Sequence, residues 1–211
     1  MEIKFGTDGW RGIIADDFTF FNLRRVSTAV ARYIQEEGKA DRGLVIGYDT
    51  RFLAEEFART VAEIMTAAGI KVYITDRAAP TPVTAYGILA KKAAGAVMLT
   101  ASHNPPAYNG FKFIPEYAGP ALPHITDRIT QLVPQSVEKA VAREDLVEVF
   151  DPRPDYFRFL AGQVDLDKIK SSGLKVVVNP MHGAGIGYLE EVFAQLGIGV
   201  VPQRNWRDPL F

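Results

Sequence analysis

The 211-residue sequence predicts an α/β protein: a mixed, largely parallel sheet with helices on both faces, followed by an incomplete second αβ domain. Three observations lead there. Apolar runs of strand length alternate with stretches of helical period, which argues for repeated βα units. The run "AGAVMLTA" shows no polar alternation, so both faces of that strand are expected to be buried. Finally, "FDPRPDYF" breaks the pattern with two prolines and mixed charge before the alternation restarts.

Taken in order, "NLRRVSTAVARYIQEEG" spaces Leu23, Val26, Val30 and Tyr33 as one helical face, with Asn22 expected as its cap and Gly38 as its stop. "GLVIGYD" is a short strand. "AEEFARTVAEIMTAAG" repeats the helical period through Phe57, Val61, Ile64, Met65 and Ala68. "KVYITD" is the next strand, and "TPVTAYGILAKKAAG" a third helix with Pro82 near its start. The strand "AGAVMLTA" follows, "GFKFIP" adds another, and Leu122 to Ala142 reads as a helix broken at Pro134. Beyond the prolines come a helix, the strand "LKVVVNP", the helix "GYLEEVFAQLG" and the strand "IGVVPQ". The expected division is residues 1–152 and 153–211, the second part being small for a domain of this type.

Composition excludes several classes. Hydrophobic residues are 47% and charged residues 23%, ordinary for a globular protein, and the net charge is −1. Nothing there calls for a nucleic-acid partner. The absence of cysteine removes disulfides, thiolate metal sites and a cysteine nucleophile. No apolar run approaches ~20 residues, so no membrane span is expected. "MEIKFGTDGWRG" lacks the apolar core of a signal peptide, which fits a cytoplasmic location.

Four stretches carry candidate chemistry. "TASHNPPAYNGFKF" sets Ser102, His103 and Asn104 just past a strand's carboxyl end, where ligands meet open α/β sheets. Serine, asparagine and proline also favour turns for local reasons. No G-x-S-x-G elbow and no S-x-x-K supports a hydrolase. A serine carrying a phosphoryl group is the remaining chemistry; its charge needs cations, N–H donors or a metal nearby, and Lys112 offers one cation. In "FGTDGWRG", glycines flank Asp8 and Arg11, either as a tight turn or as a close backbone approach to phosphate. In "GYDTR", Asp49 and Arg51 either pair with each other or face a ligand. "NPMHGAGIG" resembles a dinucleotide loop but fails on spacing, because Tyr188 stands where the third glycine belongs. Its loop can still hold an anion at a helix start. His124 and His182 read as surface or structural residues.

Together, in their order and spacing, "FGTDGWRG", "GYDTR", "TASHNPPAYNGFKF" and "NPMHGAG" resemble the α-D-phosphohexomutases, the phosphoglucomutase/phosphomannomutase superfamily. The resemblance implies that Ser102 is phosphorylated in the active enzyme and gives its phosphoryl group to a hexose monophosphate. The substrate passes through a hexose 1,6-bisphosphate, which reorients and returns its other phosphate. It implies catalytic roles for His103, Lys112 and Arg11. It places Thr7, Asp8, Arg11, Asn104 and Arg51 at the phosphate or substrate. It also implies Mg²⁺ held partly by the Ser102 phosphate.

The family's metal loop, D-G-D-x-D-R, does not occur in this sequence, nor do its later sugar and phosphate loops. The expectation is therefore an N-terminal part, lacking the metal carboxylates and inactive alone, whose uncovered sheet edge favours self-association. Within the family, "GTDGWRG" and "PPAYNGFKF" favour the phosphoglucomutase/phosphomannomutase branch; phosphoglucosamine mutase is the alternative. A non-catalytic binding module that kept the fold is the competing class.

Overall fold

The structure is a computed structural model that describes Ile3, Phe5, Gly6 and residues 9–211. Its elements are β1 (Trp10–Ile13), α1 (Phe20–Glu36), β2 (Leu44–Tyr48), α2 (Ala54–Ala67), β3 (Val72–Thr75), α3 (Thr81–Lys91), β4 (Gly95–Leu99), β5 (Tyr108–Pro115), α4 (Pro123–Leu132), β6 (Val147–Phe150), α5 (Arg153–Ala161), α6 (Leu166–Lys170), β7 (Lys175–Val178), α7 (Leu189–Gln195) and β8 (Gly199–Pro202). Six strands form one sheet in the order β1-β5-β4-β2-β3-β6. Strands β4, β2, β3 and β6 run parallel, while β5 is antiparallel to both β4 and β1.

Period-2 alternation explains how one sheet serves two cores. Leu44 and Ile46 of β2, with Val97 and Leu99 of β4, turn toward α1, α2 and α4, where Val26, Val30, Phe57, Val61, Ile125 and Ile129 meet them. Val45, Ala96 and Met98 turn the other way, toward Ile88 of α3. Such strands are buried on both faces, which is why "LVIGY" and "GAVML" carry no polar alternation. Helix α3 comes close because residue 47 is glycine: a Cβ there would meet the Thr84 hydroxyl at 2.1 Å.

Several sequence expectations are corrected. Helix α1 starts three residues earlier than an Asn22 cap would place it, since the Thr19 hydroxyl accepts from the Asn22 N–H at 3.2 Å and is the cap. Gly38 does stop it, at φ 66°, with its N–H bonded to the Gln35 carbonyl. The helix expected to reach Ala142 ends at Leu132, because Pro134 bars α conformation just before it and no helix resumes to Ala142. Strand β6 has no counterpart in the sequence reading. "VEVF" has no unbroken apolar run to mark it, and its pairing with β3 makes it a strand. Strand β1, which reads as a glycine-rich turn, is an edge strand on β5.

Glu148 of β6 accepts from Lys71 and Lys91, each at 2.7 Å, and Lys91 also lies over the Phe150 ring. Those two hydrogen bonds hold its carboxyl below the ordinary range. A depressed folded value means the pair's contribution is present above the unfolded pKa and is lost as pH falls through the folded one. Glu148→Gln should therefore be less stable than the parent at pH 7. The gap should close on acidification only once the pH lies below the depressed folded value, where both states are protonated. Urea titrations at both pH values would show it; a gap independent of pH counts against the pairing.

The second unit is a parallel pair, β7 and β8, with α5, α6 and α7. It leans on α3: Tyr86 stacks on Phe159 at 4.7 Å and meets Tyr156 edge-on, while Tyr188 packs with Ala79 and Val83. Val177 and Val201 remain largely exposed on its sheet. Among the described residues, no helix is long and apolar enough to cross a membrane.

Candidate active site

Four adjacent strands place one residue each in a row across the sheet. Arg11 of β1 stands opposite Gly110 of β5. Thr100, one residue past β4, bonds its N–H to the Gly110 carbonyl at 3.0 Å. Asp49, one residue past β2, bonds its N–H to the Leu99 carbonyl at 3.0 Å. By strand alternation, Arg11, Thr100 and Asp49 share the α3 face, at its carboxyl edge. Gly110 is required in this row. A Cβ there would meet the Thr100 carbonyl at 2.4 Å and the Trp10 carbonyl at 3.1 Å, both backbone atoms that cannot swing aside. Gly110→Ala should cost about 1–3 kcal/mol or more, read as a lower urea midpoint; an unchanged midpoint would show that the strands have slack.

The Ser102 loop rises from this row. Ser102 and His103 are exposed, and Asn104 is half-buried. The Ser102 hydroxyl lies 3.3 Å from His103 Nδ1. Its backbone is left-handed, φ 57°, a region that costs a non-glycine residue roughly 1–2 kcal/mol. Such a conformation persists only where the surroundings over-determine it.

Arg51 supplies much of that determination. It is 1% exposed. Its Nη1 donates to the carbonyls of Pro105 and Tyr108, both at 2.9 Å. Its Nη2 donates to the carbonyls of Ser102 at 3.0 Å and Asn104 at 2.7 Å. Its Nε donates to Asp49 at 3.1 Å. Arginine has five side-chain N–H donors, and all are engaged within the chain. Arg51 therefore has no donor to offer a bound phosphate, which corrects the expectation that it contacts one; it holds the loop instead. The other reading of "GYDTR", a pair between Asp49 and Arg51, is what the structure contains. Burial raises the Asp49 carboxyl and opposes its ionisation, while hydrogen bonds from Arg51 and the charge of Arg51 work to keep it charged.

Arg11 reaches the same loop, its Nη1 donating to Asn104 Oδ1 at 2.8 Å. Lys112 sits on β5 opposite Met98, half-buried, on the face shared by Thr100 and Asp49. Thr7 and Asp8 lie outside the described residues. Beside Ser102 is a cavity of about 210 Å³, with Thr100 and Asp49 on one side and Met181, Gly183 and Phe211 of the second unit on the other. The "NPMHGAG" loop is thus drawn to the serine: the Thr50 hydroxyl donates to the His182 carbonyl at 2.8 Å. The His182 ring packs against Trp206, and His124 is exposed on α4.

Magnesium is a poor fit to these residues alone. Among the described residues, no group of three or more His, Cys, Asp or Glu could hold a metal ion. The carboxylate at the cavity, Asp49, is engaged by Arg51.

Sequence reading missed Thr100 and the joining role of Asp49. The available signal was positional: each is the first polar residue after an apolar strand, and the two strands are neighbours.

The sheet order and the site at its carboxyl edge define an α/β/α fold of the phosphohexomutase kind. The model for phosphoglucomutase/phosphomannomutase α/β/α domain I matches residues 2–140, and that for α/β/α domain II matches residues 154–211. The chain belongs to the phosphoglucomutase/phosphomannomutase family. It is 31% identical to a phosphoglucomutase of Komagataeibacter xylinus, covering all of this chain and 41% of that protein. It is 34% identical to a phosphoglucosamine mutase of Desulforudis audaxviator, covering 96% of this chain and 45% of that protein. The crystal structure of a candidate phosphomannomutase from Thermus thermophilus superposes with a TM-score of 0.92 at 38% identity, over all of this chain and 47% of that one. The chain thus spans less than half the length of these relatives.

Proposed function

We propose that this chain carries the phosphoserine part of a hexose-phosphate mutase, which interconverts hexose 1-phosphate and hexose 6-phosphate through a hexose 1,6-bisphosphate. The observation that carries the reading is Ser102 itself: exposed, left-handed, at a strand's carboxyl end, on a loop fixed by a buried arginine. In the step proposed, a sugar hydroxyl oxygen attacks the phosphorus on Ser102. A bond forms from that oxygen to phosphorus, and the bond from phosphorus to Oγ breaks. The attacking hydroxyl's proton goes to a basic group, and Oγ takes one on leaving. His103 Nδ1, 3.3 Å away, is placed to exchange that proton. Lys112 and Arg11 are the cations this chain offers for the charge on the transferring oxygens. Relatives named for glucose, mannose and glucosamine phosphates support the substrate class, and we favour a glucose or mannose phosphate.

The test is intact-mass measurement of the complete protein after incubation with glucose 1,6-bisphosphate. A gain of about 80 Da mapping to Ser102 supports the reading. No gain, in protein that is folded, refutes it and favours a binding module. Lys112→Met should lower kcat roughly 10²-fold, as loss of a single charge-stabilising donor does elsewhere. A change confined to KM would remove Lys112 from the transfer step. The 211 residues alone are expected to give no turnover in a coupled glucose 6-phosphate assay with added Mg²⁺; robust turnover would overturn the view that further residues supply the metal carboxylates.

A further inference from the structure

We propose that Thr100 and Asp49, with Arg51, form a closed ring of hydrogen bonds that sets the direction in which Ser102 presents its hydroxyl, and that Thr100 is a positioning residue for phosphoryl transfer. The inference rests on the phosphoserine reading of Ser102.

The ring can be followed bond by bond. The Ser102 N–H donates to Thr100 Oγ1 at 2.9 Å. Thr100 is tied to Asp49 through the backbone: the Asp49 N–H donates at 3.0 Å to the carbonyl of Leu99, the peptide that leads into Thr100. Asp49 Oδ1 accepts from the Arg51 N–H at 3.0 Å, and Oδ2 accepts from Arg51 Nε at 3.1 Å. Arg51 Nη2 then donates to the Ser102 carbonyl at 3.0 Å. Both backbone polar groups of Ser102 are thus held from the two ends of one circuit.

The direction of every bond is fixed by chemistry. Arginine is always a donor and an ionised carboxylate always an acceptor. The Ser102 N–H can only donate, so the threonine hydroxyl oxygen is its acceptor. Ser102 has no local reason to be left-handed: it is not glycine, and its side chain reaches His103 rather than its own backbone. The ring supplies the constraint that the residue type does not. A serine Oγ misplaced by even about 1 Å forfeits much of the advantage of a positioned nucleophile, so a hydroxyl that holds the serine's backbone can govern the rate without touching substrate.

Sequence context supports the assignment. Thr100 and Asp49 lie side by side on adjacent parallel strands because β2 and β4 pair with Gly47 opposite Met98 and Tyr48 opposite Leu99. One residue further brings the two polar side chains together on the α3 face, above the close approach at Gly47.

The experiment uses the complete protein with three substitutions. Thr100→Val keeps the shape and removes the hydroxyl, Thr100→Ser restores it, and Asp49→Asn keeps the volume and removes the charge. For Thr100→Val, kcat should fall about 10–100-fold with KM within about twofold, the range expected when a reacting group is slightly misplaced. Thr100→Ser should recover most of that loss. A crystal structure of Thr100→Val should show Ser102 outside the left-handed region. A purely packing role for Thr100 predicts the opposite order, with valine tolerated and serine worse, and that result overturns the proposal. So does a valine variant with near-parental kcat and Ser102 still left-handed. If Thr100→Val does not fold, Asp49→Asn decides: kcat lowered at constant KM supports the ring, and unchanged kcat sinks it. The wild-type protein separates the two claims. If its Ser102 takes no phosphate from glucose 1,6-bisphosphate, the functional reading has failed, while the Ser102 backbone in the valine variant still reports on the ring.

Discussion

Ser102→Ala is expected to leave a folded protein that takes up no phosphate and turns over no hexose phosphate. Loss of a single stabilising donor already costs other enzymes about 10²–10³ in rate. Loss of the group that carries the phosphoryl removes the proposed pathway itself, so the fall should exceed that range. The fold should survive because the Ser102 side chain is exposed and its backbone bonds to Thr100 and Arg51 do not need the hydroxyl. Intact mass, a coupled assay and thermal unfolding on one preparation would establish all three points. Rates within tenfold of the parent, from protein free of wild-type contamination, would end the donor role.

The second large effect is on stability. Arg51→Met should destabilise the first unit by about 3–5 kcal/mol, the usual consequence of removing one partner of a buried pair. It leaves the Asp49 carboxylate, 10% exposed, without its cation, and frees the carbonyls of Ser102, Asn104, Pro105 and Tyr108 together. Arg51→Lys keeps the charge but cannot reproduce a planar fork, so it should recover only part of the loss. The deficit also depends on pH. Burial already raises the Asp49 carboxyl, and losing the opposing Arg51 interactions raises it further. A folded value above the unfolded one means stability falls as pH rises between the two. The methionine variant should therefore lag its parent less at about pH 5 than at about pH 8. Denaturant titrations at both values would check it, and a loss under about 1 kcal/mol at the higher pH would show that the ring of carbonyls finds other partners.

The parts of the architecture that rest on local period were legible in the sequence. Helices α1, α2 and α3 and strands β2, β3 and β4 follow from spacing and from unbroken apolar runs. Strands β1 and β6 were not legible, because "WRGI" and "VEVF" carry charged residues in place of an unbroken apolar run, and each is a strand only through a partner far along the chain. Ser102 stood out as a motif. The function of Arg51 did not, since nothing in "GYDTR" tells whether its donors face solvent or four carbonyls of a loop more than 50 residues later. Thr100 was hidden for a related reason: its meaning lies in the neighbouring strand.

The pairing of Trp10–Ile13 with Tyr108–Phe111 has a temporal consequence. The strand that carries Arg11 has no partner until β5 emerges roughly 100 residues later. At about 5–20 residues per second that is a wait on the order of 5–20 s. During it, β2, β3 and β4 can assemble from neighbours in sequence, while the segment Trp10–Ile13 has no strand to pair with. Arg11 and Asn104 therefore meet only once residues 104–115 have emerged, and α4 and β6 join the first unit after them.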